Sequence, residues 1–150
     1  MTESATPTID AFLFASGQIL SGPPDAAAWV RMESHAGLEE APLHAAYWHY
    51  RHDYDRGALT GRAYWHAVAQ HAATSFDDAQ IEQLLAADTD LWTQLNLPMV
   101  EWAQRLQSAG VRTGILSKIG DSIDEGIVAR LPWLSGFYHC TWSYALRMAK

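Results

Sequence analysis

The sequence is poor in cysteine, in lysine and in long apolar runs, and each shortage excludes a class of protein. With a single cysteine, Cys140, the 150-residue chain cannot form an intramolecular disulfide. Ten basic against 17 acidic residues give a formal net charge of -7, which does not suit nucleic-acid binding driven by counterion release. No apolar run approaches the roughly 20 residues that cross a bilayer, and no leader-like segment is visible at the N-terminus. We therefore expect a cytoplasmic protein without nucleic-acid or membrane partners.

Hydrophobic residues, by contrast, are plentiful. They make up 49% of the sequence, and aromatic residues make up 11%, which suffices for one globular domain or for a small core with an inserted subdomain. The first short apolar run, residues 11–14, stops at Ala15, Ser16 and Gly17, as a buried strand does when it enters a turn. We predict the first strand there.

Residues 21–96 carry helix signals and no strand pattern. Asp25 can start a helix that stops near Gly37, and residues 39–54 read as a second helix. Thr60 can cap a third, and Ser75 with Asp78 forms a capping-box-like start for a fourth. The pattern predicts a helical subdomain over residues 21–96, inserted into a core made of residues 1–20 and 97–150.

Strand and helix signals alternate in the last third of the chain. A helix follows Pro98 and stops at Gly110, and residues 111–117 then fit a strand. The spacing of Ile123, Ile127 and Leu131 predicts another amphipathic helix, and residues 137–142 a third strand. This order favours an α/β fold with a parallel sheet and right-handed crossovers.

Three segments together resemble the motifs of the haloacid dehalogenase (HAD) superfamily of hydrolases. Positions 11–20, Ala-Phe-Leu-Phe-Ala-Ser-Gly-Gln-Ile-Leu, are similar to the first motif, and positions 113–117, Thr-Gly-Ile-Leu-Ser, to the second. Positions 143–150 are similar to the approach to the third motif's lysine, and positions 55–65 to a recurrent cap segment. The resemblance implies a Rossmann-like three-layer parallel sheet, incomplete at one edge, with a helical cap after the first motif.

The resemblance also implies hydrolysis of a phosphomonoester or small acid through an aspartyl intermediate, yet Ala15 stands in the nucleophile's place. A methyl group cannot attack, and loss of a hydrolase nucleophile lowers turnover by on the order of a million-fold. The sequence also lacks a recognisable fourth motif, which supplies a second carboxylate to the magnesium ion of active relatives. We expect an inactive member of this superfamily, without a bound metal or other cofactor.

By the same resemblance, a small phosphate or other anion is the expected ligand. Ser117, as the anion-binding residue of the second motif, and Lys150, as the lysine of the third, correspond to catalytic positions. Ser16, Gly17 and Lys118 would bind the substrate. Without the resemblance, the simpler explanation of Ser117 and Lys118 is that they are the polar end of a strand; with it, an anion pocket formed by Ser117, Lys118 and neighbouring amides is an equal alternative.

Two other sites with different chemistry remain open. His49, His52 and Asp53 would share one helix face at a spacing that suits a metal ion, or they could simply be its polar surface. Cys140, beside His139, could be a nucleophile or a buried strand thiol.

The alternative to a hydrolase relative is a protein-interaction or oligomerising module. A sheet that ends with the third motif leaves the first strand with a free edge, which invites pairing with another chain. We therefore expect a homo-oligomer through that edge. The cap is rich in tryptophan and could bind a polypeptide through Trp29, Trp48, Trp65 and Trp92, unless these side chains are buried.

Overall fold

The computed structural model describes residues 9–149, which form a small parallel sheet with seven α-helices and a short 3-10 helix, Pro132–Gly136. The strands are β1 (Ala11–Phe14), β2 (Arg112–Ser117) and β3 (His139–Trp142). The helices are α1 (Ala26–Ala36), α2 (Glu40–Asp55), α3 (Gly61–His71), α4 (Asp78–Trp92), α5 (Leu97–Ser108), α6 (Asp121–Arg130) and α7 (Ser143–Leu146). None of the helices in this range is long and apolar enough to span a membrane.

The sheet has the order β1-β2-β3, and both pairs of strands are parallel. Phe12 pairs with Thr113, and Gly114 pairs with His139, so the three strands end at the same edge. Helix α5 leads into β2, and α6 connects β2 to β3, as parallel pairing requires. The predicted α/β fold with a parallel sheet is confirmed.

Both core helices pack against one face of the sheet. Trp102 of α5 stands edge-on to Phe12 and Phe14, with ring centroids 5.4 and 5.6 Å apart. Ile127 of α6 lines a small cavity together with Ile115 of β2, on the same face. The opposite face carries Leu13, which is 66% exposed. Strand β1 also forms one edge of the sheet.

Helices α1 to α4 follow β1 and precede α5 along the chain, and we call them the helical insertion. They share an aromatic core. Tyr47, Tyr54, Tyr64 and Trp65 are fully buried there. The rings of Tyr54 and Tyr64 stack at 4.7 Å with an angle of 15° between their planes. The hydroxyl of Tyr64 donates to the carbonyl oxygen of Tyr47 at 2.7 Å, so burial leaves this polar atom satisfied.

Two hydrogen-bonded contacts join the helical insertion to the sheet. The hydroxyl of Ser143, at the end of β3, donates to the carbonyl oxygen of Asp55 at 2.6 Å and accepts from the amide of Ile119 at 3.0 Å. The carboxylate of Asp121, at the start of α6, accepts from the amide of Gly61 at the start of α3, at 2.9 Å. The insertion is thereby fixed over the carboxyl ends of the strands.

The sequence patterns predicted the positions of the helices and strands to within a few residues, but the predicted N-terminal cap of α4 was wrong. Helix α1 starts at the Asp25 cap and ends at Gly37, whose φ of 62° is left-handed, as expected. Helix α4 is capped by Asp77 with Gln80 in a complete capping box, so the expected pair Ser75 and Asp78 was wrong. Asp77 is preferred because its carboxylate reaches the Gln80 amide while the Gln80 side chain accepts from the Asp77 amide.

Candidate functional site

The loop after β1 and the end of β2 meet at the carboxyl edge of the sheet. Ser16 to Leu20 form a tight, kinked turn that follows Ala15 directly. The amide of Ser16 donates to the hydroxyl oxygen of Ser117 at 3.3 Å, which ties this turn to the end of β2. Ser117 is itself buried, so it supports the turn from beneath. The first and second sequence motifs are thus in direct contact.

A cavity of about 290 Å³ lies above this turn and below the helical insertion. The sheet side supplies Ser16, Gly17, Gln18, Lys118 and Ile119. The insertion supplies Trp48, Arg51, Asp55 and Trp92, and α6 supplies Ile123 and Ile127. Of the expected site residues, Ser16, Gly17 and Lys118 therefore share one cavity, whereas Lys150 lies outside the described residues.

Arg51 is the centre of a buried ionic network in the cavity wall. Its guanidinium donates to Asp55 at 3.0 Å and to Asp88 at 3.0 Å, and also to the hydroxyl of Tyr47. Tyr47 in turn donates to Asp88 at 2.6 Å. Although burial disfavours the charge, the carboxylate of Asp88 and the other neighbours raise the pKa of Arg51 well above its usual value. Arg51 therefore stays charged.

Lys118 faces the outer side of the same network. Its ammonium nitrogen lies 3.5 Å from Oδ2 of Asp55, whose side chain is only 2% exposed, while that of Lys118 is 43% exposed. Burial raises the pKa of Asp55, and the charges of Arg51 and Lys118 oppose that rise. The cavity thus presents one lysine to solvent, with part of its charge balanced by a buried acid.

Gln18 has an unusual backbone conformation at the cavity. Its φ of 62° lies in the left-handed region, which a residue with a Cβ atom adopts at a cost of roughly 1–2 kcal/mol. Residues with strained backbone conformations are often found at binding sites, where the surrounding structure holds them in place. The conformation places Gln18 next to Gly17 on the cavity wall.

Magnesium does not suit the donors of this cavity. A hard cation needs several oxygen ligands, usually with more than one carboxylate. Ala15, which precedes the lining residue Ser16, has only a methyl group, and the acid that lines the cavity, Asp55, is already held by Arg51 and Lys118. Within residues 9–149, no three His, Cys, Asp or Glu side chains lie close enough together to hold a metal ion.

His49, His52 and Asp53 are not part of any metal-binding cluster within the described residues. His49 is exposed and packs against His71, with ring centroids 4.4 Å apart, and Asp53 pairs with Arg56 at 2.9 Å. His52 is exposed on the same helix. The three side chains form the polar surface of α2, which is the simpler of the two explanations that the sequence allowed.

Cys140 has the properties of a structural thiol. It is half-buried in β3, and burial, together with the nearby charge of Asp124, raises the pKa of its thiol. A raised pKa reduces the thiolate that a nucleophile requires.

The sequence analysis missed Arg51, Asp55 and Asp88 as site residues. Arg51 and Asp55 are spaced four apart on α2, a spacing that permits a helical ion pair. Asp88 continues the apolar stripe of Ile81, Leu84 and Leu91 on α4, and an acid in such a stripe signals a buried charge. Neither signal reveals that the two helices bring these side chains together.

Solved structures of HAD family enzymes match this chain along nearly its whole length. An enzyme from Bacteroides thetaiotaomicron superposes with a TM-score of 0.75, at 14% identity, over 96% of this chain and 73% of its own. Its complex with magnesium and inorganic phosphate, in a variant with alanine for one aspartate, gives 0.73 at 14% identity, over 95% and 72%. A predicted HAD-like family hydrolase from Porphyromonas gingivalis gives 0.66 at 15% identity, over 95% and 70%.

No protein-family model matches the sequence, and neither does any curated protein. The chain has the HAD-like fold, as its motifs predicted. At 14–15% identity the likeness concerns the fold alone.

Proposed function

We propose that this chain is a HAD-like protein that binds a small phosphate or carboxylate anion without hydrolysing it. The observation that carries the proposal is the combination of Lys118 with the Ser16-Gly17 turn in one cavity, beside a position 15 that has no carboxylate. The amides of Ser16 and Gln18 are already bonded to the hydroxyl oxygens of Ser117 and Ser21, so the charge of Lys118 is the main attraction for an anion.

We expect no hydrolysis because of the side chains that surround the turn. Ala15 has no nucleophilic atom, and the acid nearest the ligand space, Asp55, is almost fully buried and shared by Arg51 and Lys118. A carboxylate restrained by two cations is a poor substitute nucleophile, because attack would remove its charge from both partners. The cavity therefore favours binding over covalent catalysis.

One HAD family enzyme binds phosphate without its complete set of aspartates. The Bacteroides thetaiotaomicron enzyme formed its complex with magnesium and inorganic phosphate even after one aspartate had been replaced by alanine. Magnesium is part of that complex, so in this chain, whose cavity does not suit the ion, Lys118 would have to supply the positive charge.

Calorimetric titration with inorganic phosphate and with phenyl phosphate tests the proposal. We expect binding to the native chain, loss of binding in Lys118→Met, and tighter binding in Asp55→Asn, because the amide no longer competes for the lysine. Arg112→Met is the matched control, since Arg112 lies at the opposite end of β2. Equal affinity of Lys118→Met and the native chain would refute this site.

We propose self-association through β1 as a second function, on separate grounds. Strand β1 forms an edge of the sheet, and Ile9 and Leu13 beside that edge are 68% and 66% exposed. Apolar residues on a free strand edge favour pairing with another strand. Sedimentation equilibrium should show a dimer that Leu13→Lys dissociates, while a monomer at all concentrations would exclude it.

The tryptophans of the helical insertion offer weaker support for polypeptide binding. Trp65 is fully buried in the aromatic core, and Trp29 and Trp92 are partly buried, so these side chains mainly pack the insertion. Trp48 is the exception, with 46% of its surface exposed.

A further inference from the structure

A second cavity, of about 250 Å³, opens on the outer surface of the insertion. It lies between the N-terminal parts of α1 and α2 and the end of α4. Four aromatic side chains line it, and we call them the tryptophan box: Trp29, His44, Trp48 and Trp92. Trp48 and Trp92 also line the anion cavity, so they form a wall between the two spaces.

Neighbouring rings of the tryptophan box stand at steep angles to each other. The planes of Trp29 and His44 meet at 67°, those of His44 and Trp48 at 60°, and those of Trp48 and Trp92 at 82°. The indole N–H of Trp48 donates to Nε2 of His44 at 3.0 Å, which fixes two of the walls. Aromatic rings arranged as successive walls can present π faces to one enclosed group.

Acidic side chains stand at the same opening. Glu40, in the first turn of α2, and Asp25, the cap of α1, both line the cavity. Asp25 is partly balanced by Arg31, whose guanidinium nitrogen lies 3.7 Å from its carboxylate. Glu40 therefore contributes the larger share of negative potential at the mouth of the box.

We propose that the tryptophan box binds a quaternary or methylated ammonium group. Such a cation is attracted by the negative faces of tryptophan rings, and its methyl groups bury apolar surface against them. The carboxylates of Glu40 and Asp25 add attraction for a positive charge and repel anions. Neither an anion nor an uncharged apolar group gains from all of these features.

The rings do not contribute equally. The guanidinium carbon of Arg51 already lies 5.5 Å from the centroid of Trp92, which reduces what this ring offers a second cation. Trp29 and Trp48 therefore supply most of the attraction. With two principal rings and a partly exposed site, the expected dissociation constant is on the order of 1 mM.

The test compares choline with 3,3-dimethylbutan-1-ol, which has the same shape without the charge. Titrations followed by the indole N–H resonances of ¹⁵N-labelled protein should show shifts for Trp29 and Trp48 with choline. Trp102 and Trp133, which pack elsewhere, serve as internal controls. We expect the neutral alcohol to bind about tenfold more weakly. Equal binding of both compounds, or no shift with either, would overturn the proposal.

Three variants locate the interaction, the last two as a matched pair. Trp48→Leu should weaken choline binding about tenfold, and its exposed position lets the protein fold normally, which a thermal melt checks. Glu40→Gln should weaken choline binding severalfold without affecting the alcohol. Glu39→Gln, one residue outside the cavity lining, should leave choline binding unchanged. If Glu39→Gln and Glu40→Gln behaved alike, the cation would not be held at this cavity.

Discussion

Lys118 and Asp55 form an ion pair across the boundary between the sheet and the helical insertion, with Nζ 3.5 Å from Oδ2. Lys118 follows the last residue of β2, whereas Asp55 ends α2, so the pair links the two parts of the chain. The lysine remains partly exposed to the cavity, while the acid lies behind it. A bound anion would therefore compete with Asp55 for the same ammonium group.

Removing the cation at the centre of this network should strongly destabilise the fold. Arg51→Met leaves the buried carboxylates of Asp55 and Asp88 without their main partner, and breaking such an arrangement costs about 3–5 kcal/mol. Chemical denaturation measures the free energy of unfolding. The control is Arg62→Met, since Arg62 also contacts two acids, Asp78 and Glu82, but at the surface. It should cost less than about 1 kcal/mol. Similar losses for both variants would contradict the assigned role of burial.

Relief of the strained backbone at position 18 should stabilise the protein. Gln18→Gly removes the Cβ atom from a residue with φ of 62°, and we expect a gain of about 1 kcal/mol in the free energy of unfolding. Gln18→Ala is the control, because alanine keeps the backbone cost while losing the side chain. A thermal melt distinguishes them. If Gln18→Gly and Gln18→Ala have the same stability, backbone strain at position 18 does not lower the stability of the native protein.

A close approach of two backbone segments should make Gly57 intolerant of any side chain. Gly57 has φ of 73°, and a Cβ atom there would overlap the carbonyl group of Tyr144. We expect Gly57→Ala to destabilise the protein by about 3 kcal/mol, from left-handed strain plus overpacking. Gly37→Ala has a similar φ of 62° with open space around it, and should cost only about 1 kcal/mol. Equal costs would show that the two segments do not touch.

Cys140 should react slowly with alkylating reagents and faster as the pH rises. Burial first, and the charge of Asp124 second, raise the pKa of the thiol, so the reactive thiolate becomes abundant only above the usual range. Iodoacetamide labelling over a pH series reports this one thiol, and Asp124→Asn should shift the profile to lower pH. A rate that levels off at or below about pH 8.5 would contradict the raised pKa.

Local patterns predicted the elements and their order because they act over a few residues. The alternation of apolar runs and turns located β1 and β2, and glycine at position 37 marked the end of α1. The fourth helix showed the limit of such signals. Ser75 and Asp77 are both good caps, and only the reciprocal bond with Gln80 selects the second.

The candidate site was only half predictable. The motif resemblance pointed to Ser16, Gly17 and Lys118, which line one cavity. The buried network was not predicted because its ion pair between Arg51 and Asp88 joins residues 37 positions apart on different helices. Periodicity shows which face of a helix is buried, but it does not show which other helix lies against that face.

Turnover of p-nitrophenyl phosphate with magnesium decides whether this HAD-like fold binds anions without hydrolysing them. The native chain and Lys118→Met should both release p-nitrophenol at the rate of a protein-free blank, while inorganic phosphate binds to the native chain alone. A magnesium-dependent rate in the native chain that disappears in Lys118→Met would show that this cavity is catalytic despite Ala15, and would contradict the account.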